Sequence, residues 1–146
     1  MTAREILASS LYMTLATADE DGRPWASPVY YASEDHTDFY WVSDPEARHS
    51  RNLAVRPRAS AVVFDSQAPI GTGQAVYMAL VAEQETGPEL ERGIAIFSRV
   101  SVSHGGPEWS MADVTGSARL RLYRATATDW WELDATDRRV PADPRS

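Results

Sequence analysis

Apolar residues recur along this chain mostly with a period of two, the pattern of strands that turn one face to a core. Leu11, Met13 and Leu15 alternate with Tyr12, Thr14 and Ala16, and Asp19-Glu20-Asp21-Gly22-Arg23-Pro24 then supplies a hairpin turn. Residues 25–32 predict the second strand of that hairpin. A polar loop over 33–38 leads to Phe39-Tyr40-Trp41-Val42, so the first three strands predict an antiparallel meander in which sequence neighbours pair.

Asp44 and Pro45 have the chemistry of a helix N-cap and first helical residue. The helix they predict ends before Pro57, because the residue preceding a proline avoids the helical region. Residues 59–64 and 75–82 predict a fourth and a fifth strand, separated by a loop over 67–73 that contains Pro69, Gly71 and Gly73. The period then changes. Leu90, Ile94 and Phe97 fall on one helical face within 86–100, with Thr86 and Glu89 spaced as a capping box. Gly105-Gly106-Pro107 breaks the chain, and 118–123 and 126–133 predict two more strands. The segment 137–146 is charged and proline-bearing and is expected to be loose. Six or seven short strands with two helices predict a mainly β fold, an antiparallel barrel or sandwich, because a sheet of that size removes its edges most simply by closing.

The 146 residues, 43% of them hydrophobic, suit a single domain over 1–146 with one core. No run approaches the roughly 18 apolar residues that span a bilayer, and Met1 to Ser10 lacks the apolar centre of a signal peptide. A soluble, cytoplasmic protein with no membrane partner is expected. The chain has no cysteine, so any redox chemistry must come from a bound cofactor. A formal charge of −7 argues against general nucleic-acid binding, which depends on a broad basic surface. The positive charge is local: Arg48, Arg51, Arg56 and Arg58 lie close together with His49. A strand running into a helix with basic residues in its first turns is an anion site, and a ligand bearing phosphate is expected there.

Other chemistry is less well supplied. His36 and His104 have no carboxylates at metal-ligand spacing, and Ser27, Ser43 and Ser50 lack the Gly-x-Ser-x-Gly elbow of a hydrolase. No metal site is expected and no side chain is singled out as a catalyst. Trp41, Trp130, Trp131, Tyr40 and Tyr77 read first as packing residues.

Five segments occur in the order seen in pyridoxamine 5'-phosphate oxidase-like flavin proteins. They are Trp25-Ala26-Ser27-Pro28-Val29-Tyr30-Tyr31, Phe39-Tyr40-Trp41-Val42-Ser43, Ala47-Arg48-His49-Ser50-Arg51-Asn52-Leu53, Arg56-Pro57-Arg58 and Gly73-Gln74-Ala75-Val76-Tyr77. On these segments the chain resembles that family over most of 11–82, and more weakly through 123–133. The resemblance implies an FMN-binding split barrel that forms a homodimer and holds the flavin at the subunit interface. Ala26, Ser27, Pro28 and Val29 match the strand that contacts the isoalloxazine ring. Val42 and Ser43 match the positions beside the ribityl and phosphate groups, Arg48 and His49 the basic pair on the phosphate, and Gln74 a glutamine at the ring edge.

The implied activity is FMN-dependent oxidation or reduction of a small molecule. The alternatives are a reductase using the deazaflavin F420 and a non-enzymatic flavin or haem binder. Where the family commonly has a lysine after the phosphate arginine, this chain has His49, and Asp44 and Glu46 add carboxylates to the expected first helical turn. The lysine that the vitamin oxidases place after the flavin strand corresponds to Tyr31, and their Arg-Leu-His segment is missing. The resemblance therefore implies a relative of those oxidases with a different substrate.

Overall fold

The computed structural model describes residues 1–145. Seven strands form one antiparallel sheet: β1 (Tyr12–Ala18), β2 (Pro24–Tyr30), β3 (Asp38–Ser43), β4 (Arg58–Phe64), β5 (Ala75–Gln84), β6 (Arg121–Leu133) and β7 (Arg139–Ala142). They neighbour one another in the order β2-β1-β4-β5-β6-β3, with β7 paired to β6. Three α-helices, α1 (Ala3–Ser9), α2 (Arg48–Val55) and α3 (Leu90–Ser103), pack around it. None of them is long and apolar enough to cross a membrane.

The predicted hairpin is present, with Tyr12 opposite Tyr30 and Ala18 opposite Pro24. The third strand departs from the meander: β3 pairs along its length with β6, Trp41 opposite Tyr123. It meets the end of the hairpin only at a bridge between Ala32 and Tyr40, whose two backbone hydrogen bonds are each 2.9 Å. That bridge closes the barrel at one point and leaves it split elsewhere.

The side chains of β3 show why it takes this place. Phe39 and Trp41 are fully buried inside the barrel, while Tyr40 faces the second cluster under α3 with Leu90, Ile94, Phe97 and Leu122. A strand buried on both faces needs cover on both, and local pairing with the hairpin would supply only one. Gly93 lets α3 approach, since a Cβ there would lie 2.9 Å from the Tyr40 ring and 3.0 Å from Leu122.

Four further expectations are corrected. The first ten residues carry α1, capped reciprocally by Thr2 and Glu5, with Ile6 and Leu7 buried in the barrel core. The two last predicted strands are one strand, β6, which begins at Arg121 and runs unbroken past Arg124 because β5 and β3 flank it. The α3 helix begins at Leu90, and Glu89 at its N-cap makes no side-chain capping bond, so Thr86 and Glu89 form no capping box. The tail is not loose: β7 pairs with residues 130–133, Pro144 is fully buried, and the Arg145 guanidinium stacks 4.5 Å over Trp130. Ser146, the last residue of that predicted tail, lies outside the described residues.

Candidate functional site

Arg48, His49 and Arg51 of the predicted anion site lie on α2, which meets the β1–β2 hairpin. The helix does not start at Pro45. Asp44 Oδ1 accepts the Glu46 amide at 2.9 Å and the Asp44 carbonyl accepts the Ala47 amide at 3.0 Å, so 44–47 is a turn and Arg48 is the first helical residue. Asp44 therefore cannot be the N-cap, and neither Asp44 nor Glu46 is in the first turn. The Asp44 carboxylate instead pairs with Arg119 at 3.1 Å, and the Glu46 amide and Arg119 together hold its pKa below the usual carboxylate value. The carboxylates expected in the first helical turn therefore stand in the turn before it.

Three contacts fasten α2 to the hairpin. The Arg48 guanidinium lies 4.2 Å over the Trp25 ring, at the beginning of the helix. In its middle the Asn52 amide donates to Thr17 Oγ1 at 3.0 Å, both residues being buried. At its end Arg56 donates to the carbonyls of Asp19 and Glu20 at 2.7 and 3.2 Å. Arg56, an expected member of the phosphate cluster, is thereby a structural tie. The guanidinium groups of Arg51 and Arg58 are exposed and make no hydrogen bond or ion pair among the described residues.

His49 turns inward. It is buried, and its Nε2 lies 2.8 Å from Ser43 Oγ, so the two predicted positions bond to each other. Desolvation lowers the pKa of the imidazole and keeps it neutral at pH 7. The unfolded chain takes up a proton near the ordinary value of 6.5 whereas the folded protein resists until lower pH, so stability rises with pH across that window. Urea midpoints should therefore fall as pH is lowered from about 7.5 through the ordinary histidine range, and fall less in His49→Gln. Parallel pH profiles for the two proteins would show that His49 is equally accessible to protons in both states.

Ala26 and Pro28 stand exposed on one face of β2, with Ser27 half-buried and Val29 buried on the other. This strand is the terminal one in the order, so beyond the bridge at Ala32 its outer edge carries backbone groups with no strand partner. Val42 packs against the α3 cluster. Gln74 belongs to a different part of the molecule. It precedes β5, where Phe64 opposite Ala75 and Val62 opposite Thr14 put it near the level of Tyr12, while Trp25 stands opposite Thr17. Five residues along the strands and three strands across amount to on the order of 20 Å. Gln74 Oε1 accepts from the Met1 amino group at 2.7 Å and lines an open recess of about 960 Å³ with Phe64, Tyr77 and Leu133. Within one chain the structure bonds Ser43 to His49 and stacks Arg48 on Trp25, the neighbour of residues 26–29 on β2, and leaves Gln74 outside.

Two features carried no signal in the sequence. One is the stacking of Arg48 on Trp25. The other is the bond of 2.8 Å between Tyr30 Oη and His104 Nδ1, which joins the end of β2 to the cap of α3. Each joins residues far apart in the chain or on different elements, so periodicity cannot reveal it.

Residues 2–134 match the family model described as pyridoxamine 5'-phosphate oxidase. The chain belongs to this family. A pyridoxine/pyridoxamine 5'-phosphate oxidase of Ectopseudomonas mendocina is 42% identical over 52 residues, 36% of this chain and 24% of that protein. The chain thus spans about a quarter of the length of that curated relative. Among solved structures, a heme binding protein from Mycobacterium smegmatis is 26% identical, with a TM-score of 0.76 over 97% of this chain and 56% of that one. A protein described as an F420 reductase has the same fold at 18% identity, with a TM-score of 0.63 over 87% of this chain and 94% of its own. The fold is the split barrel of this family, whose members generally bind flavin.

Proposed function

We propose that this protein is a small flavin-dependent oxidoreductase that holds FMN between the free edge of β2 and the start of α2. The observation that carries this reading is the pairing of the free edge of β2 with an exposed guanidinium at Arg48, which stacks on Trp25 of that strand and, among the described residues, has no carboxylate within ion-pair distance. The edge supplies backbone donors and acceptors for a ring with a polar rim, and the arginine supplies charge-assisted bonds to a phosphate. FMN would supply hydride or electron transfer, while residues 26–29 orient the ring and Arg48 anchors the phosphate. Adding FMN, F420 and haem separately to the purified protein tests the reading. FMN should bind most tightly, with its fluorescence quenched, and preference for F420 or haem would replace it with one of the other two ligand classes.

With on the order of 20 Å between Gln74 and the level of Trp25 within one chain, we infer that Gln74 reaches such a site from a second subunit. We therefore place the flavin at the interface of a homodimer in the cytoplasm. Light scattering at micromolar concentration should report twice the mass of one chain, and a monomer that retains FMN would remove Gln74 from the site.

The substrate lies outside the vitamin phosphates. Tyr31, at the position of the vitamin oxidases' lysine, is buried, its hydroxyl donates to the Leu7 carbonyl at 2.6 Å, and burial pushes its pKa well up. A substrate phosphate there would be desolvated beside a neutral phenol, which costs more than burying the pyridine ring returns. FMN-loaded protein should form no pyridoxal 5'-phosphate from pyridoxine or pyridoxamine phosphate. Turnover of about one per second, an ordinary enzyme rate, would refute this.

A further inference from the structure

We propose that Trp25 is a positioning residue for the phosphate of the bound ligand: its indole face holds the Arg48 guanidinium in place at the start of α2. This rests on the FMN reading above, and it assigns a role to a residue that lies outside the 26–29 segment. The guanidinium carbon stands 4.2 Å from the centre of the ring, within the range of a cation–π contact. An exposed arginine otherwise spreads over many rotamers, and ordering it costs entropy each time a ligand binds. Stacking uses the flat face of the guanidinium and leaves its N–H groups, which lie in the plane, directed outward. Those are the donors that meet two phosphate oxygens together.

The strand that carries the indole is firmly tied, while the residue itself is 41% exposed. Trp25 pairs with Thr17, which accepts the buried Asn52 amide of the same helix, and Arg56 grips the adjoining turn at Asp19 and Glu20. Oδ1 of the Asp19 carboxylate accepts the amides of Arg23 and Asp21, both at 2.9 Å, and the attraction of Arg48 adds to the bonds that hold the Asp19 pKa below the usual carboxylate value. Because His49 is buried, neutral and bonded to Ser43, Arg48 carries the phosphate with less help than a family member having lysine there. Its orientation then governs affinity more strongly.

The test compares FMN with riboflavin in the wild type, in Trp25→Phe and Trp25→Leu, and in each combined with Arg48→Ala. Trp25→Leu should weaken FMN about threefold to fivefold, leave riboflavin nearly unchanged, and have no further effect once Arg48 is gone. Trp25→Phe, which retains an aromatic face, should fall between wild type and Trp25→Leu. If Trp25→Leu does not fold, Trp25→Thr, which suits a strand, takes its place. An unchanged ratio of FMN to riboflavin affinity in a Trp25 variant that still binds FMN overturns the positioning role and leaves the FMN reading intact. If the wild type does not bind FMN, inorganic pyrophosphate is the ligand measured. Weakening by Trp25→Leu only when Arg48 is present keeps the positioning role without the flavin, whereas equal binding by all variants, or no binding, overturns it.

Discussion

Arg48→Ala is expected to cost FMN binding about tenfold to a hundredfold while changing riboflavin binding little. The two ligands differ by one phosphate, and a hydrogen bond to a charged group contributes roughly 1.5 to 3 kcal/mol. Arg48 is exposed and its side chain makes no ion pair among the described residues, so its removal leaves no buried partner unsatisfied there. The effect should therefore appear mainly in affinity, with the urea midpoint reporting only the loss of an exposed cation–π contact, about 0.5 to 1 kcal/mol. His49 is poorly placed to compensate, since burial keeps it neutral. Equal losses for FMN and riboflavin would mean that Arg48 acts on the fold, and no loss for either would move the phosphate elsewhere, with the unpaired Arg51 and Arg58 as the next cations to test.

The second large effect is expected inside the barrel. Trp41→Ala should destabilise the protein by about 3 to 5 kcal/mol, the range for truncating a large buried aromatic side chain. Trp41 is fully buried and stacks on Tyr123, with ring centres 5.9 Å apart and planes 7° from parallel. These rings lie on the paired strands β3 and β6, so the cavity would open at the seam that replaces the expected meander. Trp41→Phe should cost far less, below about 2 kcal/mol. It keeps a ring against Tyr123 and removes an indole N–H that finds no acceptor among the described residues. Urea unfolding of both variants checks the pair. Similar losses for Phe and Ala would show that the indole nitrogen matters more than the volume of the ring.

Functionally the two predictions concern one region. Trp41 holds β3 against β6, and Ser43, two residues on, presents its hydroxyl to His49 of α2. A core change there would reach the ligand site through the placement of Ser43. Arg48 acts at the surface of the same helix. Comparing FMN affinity in Trp41→Phe with that in Arg48→Ala therefore separates damage to the scaffold from loss of the cation.

The local features of this chain were legible because short-range chemistry decides them. Period-two alternation at 11–16 and the turn at Asp19 to Pro24 specify the β1–β2 hairpin, and Leu90, Ile94 and Phe97 mark the buried face of α3. The order of residues 25–31, 39–43, 47–53, 56–58 and 73–77 carried the family resemblance, which the match over residues 2–134 bears out. Only the tertiary structure decided what depends on partners distant in sequence. β3 chose β6 over β2 because both of its faces needed cover. Arg124 lies within a strand because β5 and β3 flank it, and the segment 139–142 became β7 because β6 extends past β3. The start of α2 shifted to Arg48 because Asp44 found backbone and Arg119 partners in a turn. The site divides the same way: sequence order placed Arg48 and His49 side by side, but burial made one an exposed cation and the other a neutral partner of Ser43. Neighbouring residues on a helix point in different directions, and only the packed barrel determines which direction is inside.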